Sequence, residues 1–227
     1  MIPVLARLPV ARLVRSPRTW IAAGAWSALA VAVAVGARSQ GSAHGADHVL
    51  LDAYGMLVLP VLAYALVGAT FGARSISAST APLVAFGASP ARAAGVAIAV
   101  ASVACTLSAA ALAALIALVA HGVADPPRAR DAVTSAYAGA LGGAAYASWF
   151  ALGAGLGRRG GGRALLLVLD WLLGASGSAA GLMTPRVHLR SMLGGPPPMG
   201  LSERASAAAL MTMAVVYGFV AMRRARQ

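Results

Sequence analysis

One carboxylate stands where a carboxylate is costly. Asp170 follows the apolar run Ala164-Leu165-Leu166-Leu167-Val168-Leu169 and precedes Trp171-Leu172-Leu173. An ionised side chain in such a run must be protonated, paired or turned to a wet cavity. Arg163 lies one helical repeat earlier on the same face and is the candidate partner. Two readings stay open for Asp170 and Arg163: a substrate-path or proton-handling group, or a buried structural pair. The histidines come next. His44 and His48 have the i,i+4 spacing that offers two imidazoles to one metal ion. They sit in a Gly/Ser/Ala stretch without a clear third ligand, so they read as loop histidines and no metal site is expected, an external metal or haem contact being the lesser alternative.

Other chemistry is excluded or weak. Gly174-Ala175-Ser176-Gly177 resembles the nucleophile motif of rhomboid proteases. A serine nucleophile needs a histidine base. The last apolar run contains none, and His188 falls in the loop before it, so close helix packing is the better account. The single Cys105, inside an apolar run, excludes an intramolecular disulfide and a multi-cysteine metal site. All eighteen basic residues are arginine. Without lysine there is no Walker-type phosphate loop, so the chain carries no ATPase motif of its own. The glycine-rich basic stretch 157–163 reads as a tight cationic turn.

The elements that must position these residues follow from composition. Hydrophobic residues make up 59% of the 227, charged residues 11%, and the mean hydropathy is +0.78. A soluble domain of this size must cover itself with more polar surface than that. Six apolar runs emerge, at 20–37, 49–72, 93–120, 132–157, 164–183 and 205–222. Each is long enough to cross about 30 Å of hydrocarbon as a helix. Helix is the state that satisfies its own backbone in lipid. The expected fold is an all-α polytopic membrane protein of six transmembrane helices, forming one domain over 1–227.

The net charge of +12 sits at the ends of these runs, which argues for membrane surface and against nucleic acid. With both termini in the cytoplasm, twelve arginines lie inside: Arg7, Arg12, Arg15, Arg18, Arg74, Arg92, Arg158, Arg159, Arg163, Arg223, Arg224 and Arg226. Six lie outside: Arg38, Arg128, Arg130, Arg186, Arg190 and Arg204. The excess sets the orientation. Asp47, Asp52, Asp125, Asp131 and Glu203 all fall on the outer side. The expected location is the cell (inner) membrane.

Residues 1–19 alternate apolar residues with arginines and read as an interfacial helix that Pro9 interrupts. The first run reads as a retained signal anchor. In the inner loop 73–92, Thr80 before Ala81-Pro82 can cap a short helix that Gly87 and Pro90 would stop. The outer loop 184–204 is broken by Pro185, Gly194-Gly195 and Pro196-Pro197-Pro198, with 187–193 as a short re-entrant or interfacial helix. Four Gly-xxx-Gly pairs, Gly68/Gly72, Gly139/Gly143, Gly153/Gly157 and Gly177/Gly181, allow close helix approach, either within one bundle or between subunits.

Three segments together resemble the six-helix permease subunits of type-2 ABC exporters. They are the leader running into Arg15-Ser16-Pro17-Arg18-Thr19-Trp20, the inner loop Thr80-Ala81-Pro82-Leu83-Val84-Ala85-Phe86-Gly87-Ala88-Ser89-Pro90-Ala91-Arg92, and the outer loop from Pro185-Arg186-Val187-His188-Leu189. Ser77-Ala78-Ser79 stands where that family places an acid or a Glu-Gly pair. The resemblance implies a coupling helix bearing Thr80, Leu83, Phe86 and Arg92. It implies a separate cytoplasmic ATPase that binds the ATP, no cofactor in this chain, and a second permease copy completing the pathway. Outside that family, the alternatives are a secondary transporter or an assembly or anchor subunit. A secondary transporter tends to show broken helices at matching positions of two repeats. Pro60 in the second run has no counterpart in the fifth.

Overall fold

The computed structural model describes residues 2–72, 74–157, 160–175 and 178–225. Of the described residues 82% are helical, with no strand among them. In chain order the helices are α1 (Ile2–Val14), α2 (Pro17–Ser39), α3 (Gly45–Thr70), α4 (Ile76–Ala85), α5 (Pro90–Ala120), α6 (Arg128–Ala154), α7 (Gly162–Gly174), α8 (Pro185–Met192) and α9 (Glu203–Arg224). Four of them, α2, α3, α5 and α9, are long and apolar enough to cross a membrane.

α6 holds the centre and touches α3, α5, α7, α8 and α9. It is 27 residues long but not apolar enough to be counted with those four, because it is built of Ala, Gly and Ser. That composition suits a helix surrounded by protein, where close approach matters more than oiliness. A Cβ on Gly139 would lie 2.7 Å from the Ala109 carbonyl oxygen, and one on Gly143 would lie 2.6 Å from that of Cys105. This Gly-xxx-Gly pair is therefore consumed by α5–α6 packing inside the chain. Side-chain hydrogen bonds to backbone carbonyls tie further helices together: Tyr54 to Ala109 at 2.8 Å, Ser148 to Ala214 at 2.7 Å, and Trp149 to Leu166 at 3.1 Å.

By contrast, α2 lies at the periphery, with only 17% of its most apolar 18 residues buried. It exposes Trp20, Ile21, Leu29, Val33 and Val35. A helix apolar all round with so little cover needs lipid or another chain around it.

Two expectations are corrected here. α1 runs through Pro9 without interruption and buries Leu5, Pro9 and Leu13 along one stripe. The run 164–183 is not one helix. α7 stops at Gly174 after 13 residues, about 20 Å, which is too short to span alone. A short 3-10 turn, Gly181–Met183, follows, and then the eight-residue α8.

Within α3, Val49–Val58 winds as a π-helix, and Leu59 N–H donates to the carbonyl five residues back, Tyr54. Ten residues in this state is unusual, since π turns are rare and concentrate at functional positions. Pro60 opens the α-helical part that follows. Having no N–H, it cannot serve the carbonyl four residues before it, which belongs to Met56.

Candidate functional site

Where α7 breaks, its last turns meet α8, α6 and the π segment of α3. Asp170 is fully buried there. Its Oδ2 accepts from Arg186 Nε at 3.1 Å and from the Tyr146 hydroxyl at 2.9 Å, and its Oδ1 accepts from the Arg186 backbone N–H at 3.3 Å. Arg186 sits in the first turn of α8, preceded by Pro185, and is 2% exposed. The guanidinium also donates from Nη2 to the Met56 carbonyl at 2.7 Å, and Trp171 Nε1 reaches that same oxygen at 3.2 Å. Gly174 makes room for the arginine, because a Cβ there would lie 2.7 Å from Arg186 Cδ.

This is a buried ion pair with both carboxylate oxygens engaged. Such geometry is what offsets the desolvation of two charges. The aromatic side is closed by Tyr146 stacked on Phe150, ring centroids 5.9 Å apart. Chemically the cluster is a clamp that joins the two halves of the broken α7–α8 segment and ties both to α3.

Arg163 is not the partner of Asp170. It lies at the start of α7 in contact with α6, where its Nε donates to the Gly160 carbonyl at 3.3 Å. Its Nη1 is buried without a hydrogen-bond partner among the described residues. Seven residues of helix separate it from Asp170 by about 10 Å of rise. Arg186, by contrast, is brought to the carboxylate by the break in the chain. The sequence showed the break only as prolines and glycines, and Arg186 read as an outer-loop residue.

At one end of the bundle, α4 stands between α3 and α5. Its N-cap is Ser75, whose side chain accepts from Ala78 N–H at 3.3 Å, rather than Thr80. Thr80 is buried inside the helix and turns its hydroxyl back to the Ile76 carbonyl at 2.9 Å. Ser and Thr both cap well, and Ser75 wins because the helix begins at Ile76. Pro82 is consequently interior. Gly87, at φ +87°, ends the helix, and Ser89 caps α5 by accepting from Arg92 N–H at 3.3 Å. Leu83 is half-buried, Arg92 is exposed, and Phe86 is 92% exposed. Arg12 Nη1 of α1 donates to the Ser79 carbonyl at 2.8 Å, so the leader helix is fastened to α4 across 67 residues.

Other sequence candidates are dispersed. His188 lies in α8, with Nε2 hydrogen-bonded to the Leu182 carbonyl at 3.0 Å. Ser176 and Gly177 of the Gly-x-Ser-Gly motif, Gly177 of the Gly177/Gly181 pair, and Arg158, Arg159 and Arg226 lie outside the described residues. Compared with known protein families, with curated proteins and with solved structures, the chain matches none.

Proposed function

We propose that the chain is the membrane-spanning permease subunit of an ATP-driven ABC exporter, threading the cell membrane six times with both termini in the cytoplasm. The crossings are α2, α3, α5, α6, the broken α7–α8 segment and α9. α7, at about 20 Å, cannot cross alone, and in this reading the Gly181–Met183 turn and α8, which starts beside the last turns of α7, complete the crossing. α1 lies in the inner interface with Arg7 and Arg15 reaching head groups.

The observation that carries this reading is Phe86. A phenylalanine 92% exposed at the tip of a short, capped helix, beside half-buried Leu83, is an apolar surface without a cover. It projects at the arginine-rich end of the bundle, where a cytoplasmic ATPase would dock. The tether from Arg12 to Ser79 holds the helix as a rigid lever that can pass a partner's movement to α3 and α5. The bare apolar face of α2 suits lipid or a second permease copy.

The test is co-purification from native membranes in mild detergent. Wild-type chain should bring down an ABC ATPase and its ATP hydrolysis, and the Leu83→Asp/Phe86→Asp variant should insert equally well and lose both. Failure to recover an ATPase with wild type, or its full retention by the variant, would sink the reading.

One observation favours a second reading, an ion-coupled secondary transporter. The second and fifth crossings are both irregular, one by the π segment before Pro60 and the other by its break, and they meet at Asp170, Arg186 and Met56. Discontinuous helices meeting at a midplane site are a hallmark of that class. Uptake or export in vesicles driven by a proton or sodium gradient, without ATP, would favour it.

A further inference from the structure

Two segments about 80 residues apart meet at the end of the bundle opposite α4. The α2–α3 connection brings His44 and Asp47, and the end of α5 with the following loop brings His121 and Asp125. Asp131 comes from the first turn of α6. The contact is tight. A Cβ on Gly45 would collide with the Ala120 carbonyl oxygen, and one on Gly122 would collide with the carbonyl oxygens of Ser42 and Ala43. Ala124 N–H donates to the Ala43 carbonyl at 3.0 Å.

Asp125 is the hinge of this arrangement. Its side chain is fully buried, and Oδ2 is taken by two backbone donors, Gly122 N–H at 2.7 Å and Ala46 N–H at 3.1 Å. Oδ1 has no hydrogen-bond partner among the described residues, and neither has Asp131 Oδ2 or His121 Nδ1, although all three atoms are buried. Buried polar atoms are nearly always partnered, and here three lack partners together. His121 Nδ1 lies 3.9 Å from Asp131 Oδ2, and His44 Nδ1 lies 3.9 Å from Asp125 Oδ1 and 3.8 Å from Asp47 Oδ2. These separations are too long for hydrogen bonds. Ligand atoms of His121, Asp125 and Asp131 lie within 4.8 Å of one another, as do those of His44, Asp47 and Asp125.

We propose that His121, Asp125 and Asp131, with His44 and Asp47 alongside, form a site for a divalent transition-metal ion of the zinc class. Imidazole with carboxylate is a borderline donor set, which suits zinc and its neighbours better than the all-oxygen shells of calcium or magnesium. Tetrahedral zinc at about 2.0–2.2 Å from its ligands holds them about 3.4 Å apart, so the 3.8–3.9 Å pairs close by about half an ångström on binding. Three carboxylates supply the negative charge that draws a cation in. The backbone bonds to Oδ2 act as an outer shell that fixes Asp125. Bound metal staples the α2–α3 connection to the α5–α6 loop. His48, the apparent i,i+4 partner of His44, is not part of the site. The proposal stands whether or not the chain is an exporter subunit.

The test uses the full chain in detergent, stripped with chelator, dialysed against ZnCl2 and then against metal-free buffer. One zinc per chain by elemental analysis, and a rise in melting temperature, are expected. His121→Ala and Asp131→Asn should each weaken zinc binding at least tenfold, while His48→Ala should leave it unchanged. Cobalt should bind with visible bands that His121→Ala alters. Asp125→Asn is avoided as the deciding variant, because Oδ2 holds two backbone donors. Absence of zinc from the wild type, equal binding by His121→Ala and Asp131→Asn, or a preference for calcium over zinc would each overturn the site.

Discussion

Arg186 Nη2 donates to the Met56 carbonyl at 2.7 Å, and Met56 stands four residues before Pro60. Where the π segment gives way to α-helix, Pro60 has no N–H to offer Met56, and a guanidinium from another element donates to that carbonyl. The same guanidinium neutralises Asp170. One imino acid in the second apolar run thus prepares the seat for a charge pair contributed by the fifth.

Breaking that pair by one member is expected to be severe. Asp170→Asn or Arg186→Met leaves a buried charge uncompensated, which costs about 3–5 kcal/mol. Replacing both, as Asp170→Leu/Arg186→Met, is expected to recover much of the loss. Thermal melting in detergent reads this directly. A double variant as unstable as the sum of the singles would count against the clamp.

Pro60→Ala restores an N–H that competes for the Met56 carbonyl. In that background Arg186→Met should cost less than in wild type, with a coupling of about 0.5–3 kcal/mol. Full additivity in a double-mutant cycle would show that Pro60 and Arg186 do not share the oxygen.

Threading is checked by labelling single cysteines in a Cys105→Ser background, since Cys105 is buried. Val123→Cys, at a position 96% exposed beside the histidine–carboxylate cluster, should react with an impermeant maleimide on intact cells. Phe86→Cys should react only after permeabilisation. The reverse pattern would invert the proposed orientation.

Acidity offers a further handle on the cluster. Burial pushes the Asp131 carboxyl up, and the charge of Asp125 adds to the shift. A carboxyl raised in the folded state contributes stability that is full below its unfolded value and lost as pH rises through the folded value. Metal-free Asp131→Asn should therefore melt above metal-free wild type near neutral pH. The difference should close as pH falls towards the ordinary aspartate value of about 3.9. Added zinc should reverse the order at neutral pH, because only the wild type binds it tightly.

Much of the architecture was legible because hydropathy is a local property. The helical class and the apolar runs behind α2, α3, α5 and α9 announce themselves in stretches of a dozen residues or more, whereas the short helices were expected after Thr80 and at 187–193 and form at 76–85 and 185–192. Caps were less legible. Ser75 and Thr80 are both good caps, and only the packing of Ile76 and Thr80 against the bundle decides where α4 begins.

What the sequence determined by itself is that these segments are helices too apolar for water, with their charges gathered at the ends. Partnership was left to the tertiary structure. Arg163 is near Asp170 along the chain, yet Arg186 reaches it, because the break between α7 and α8 folds residue 186 back onto the carboxylate. His44 shows a neighbour at i+4, yet of the two carboxylates beside it only Asp47 is near in the chain, and Asp125 lies 81 positions away, brought in by glycines that let two backbones touch. Periodicity encodes which face a residue occupies, but which distant face meets it depends on how all the helices pack at once, and no short stretch of sequence contains that.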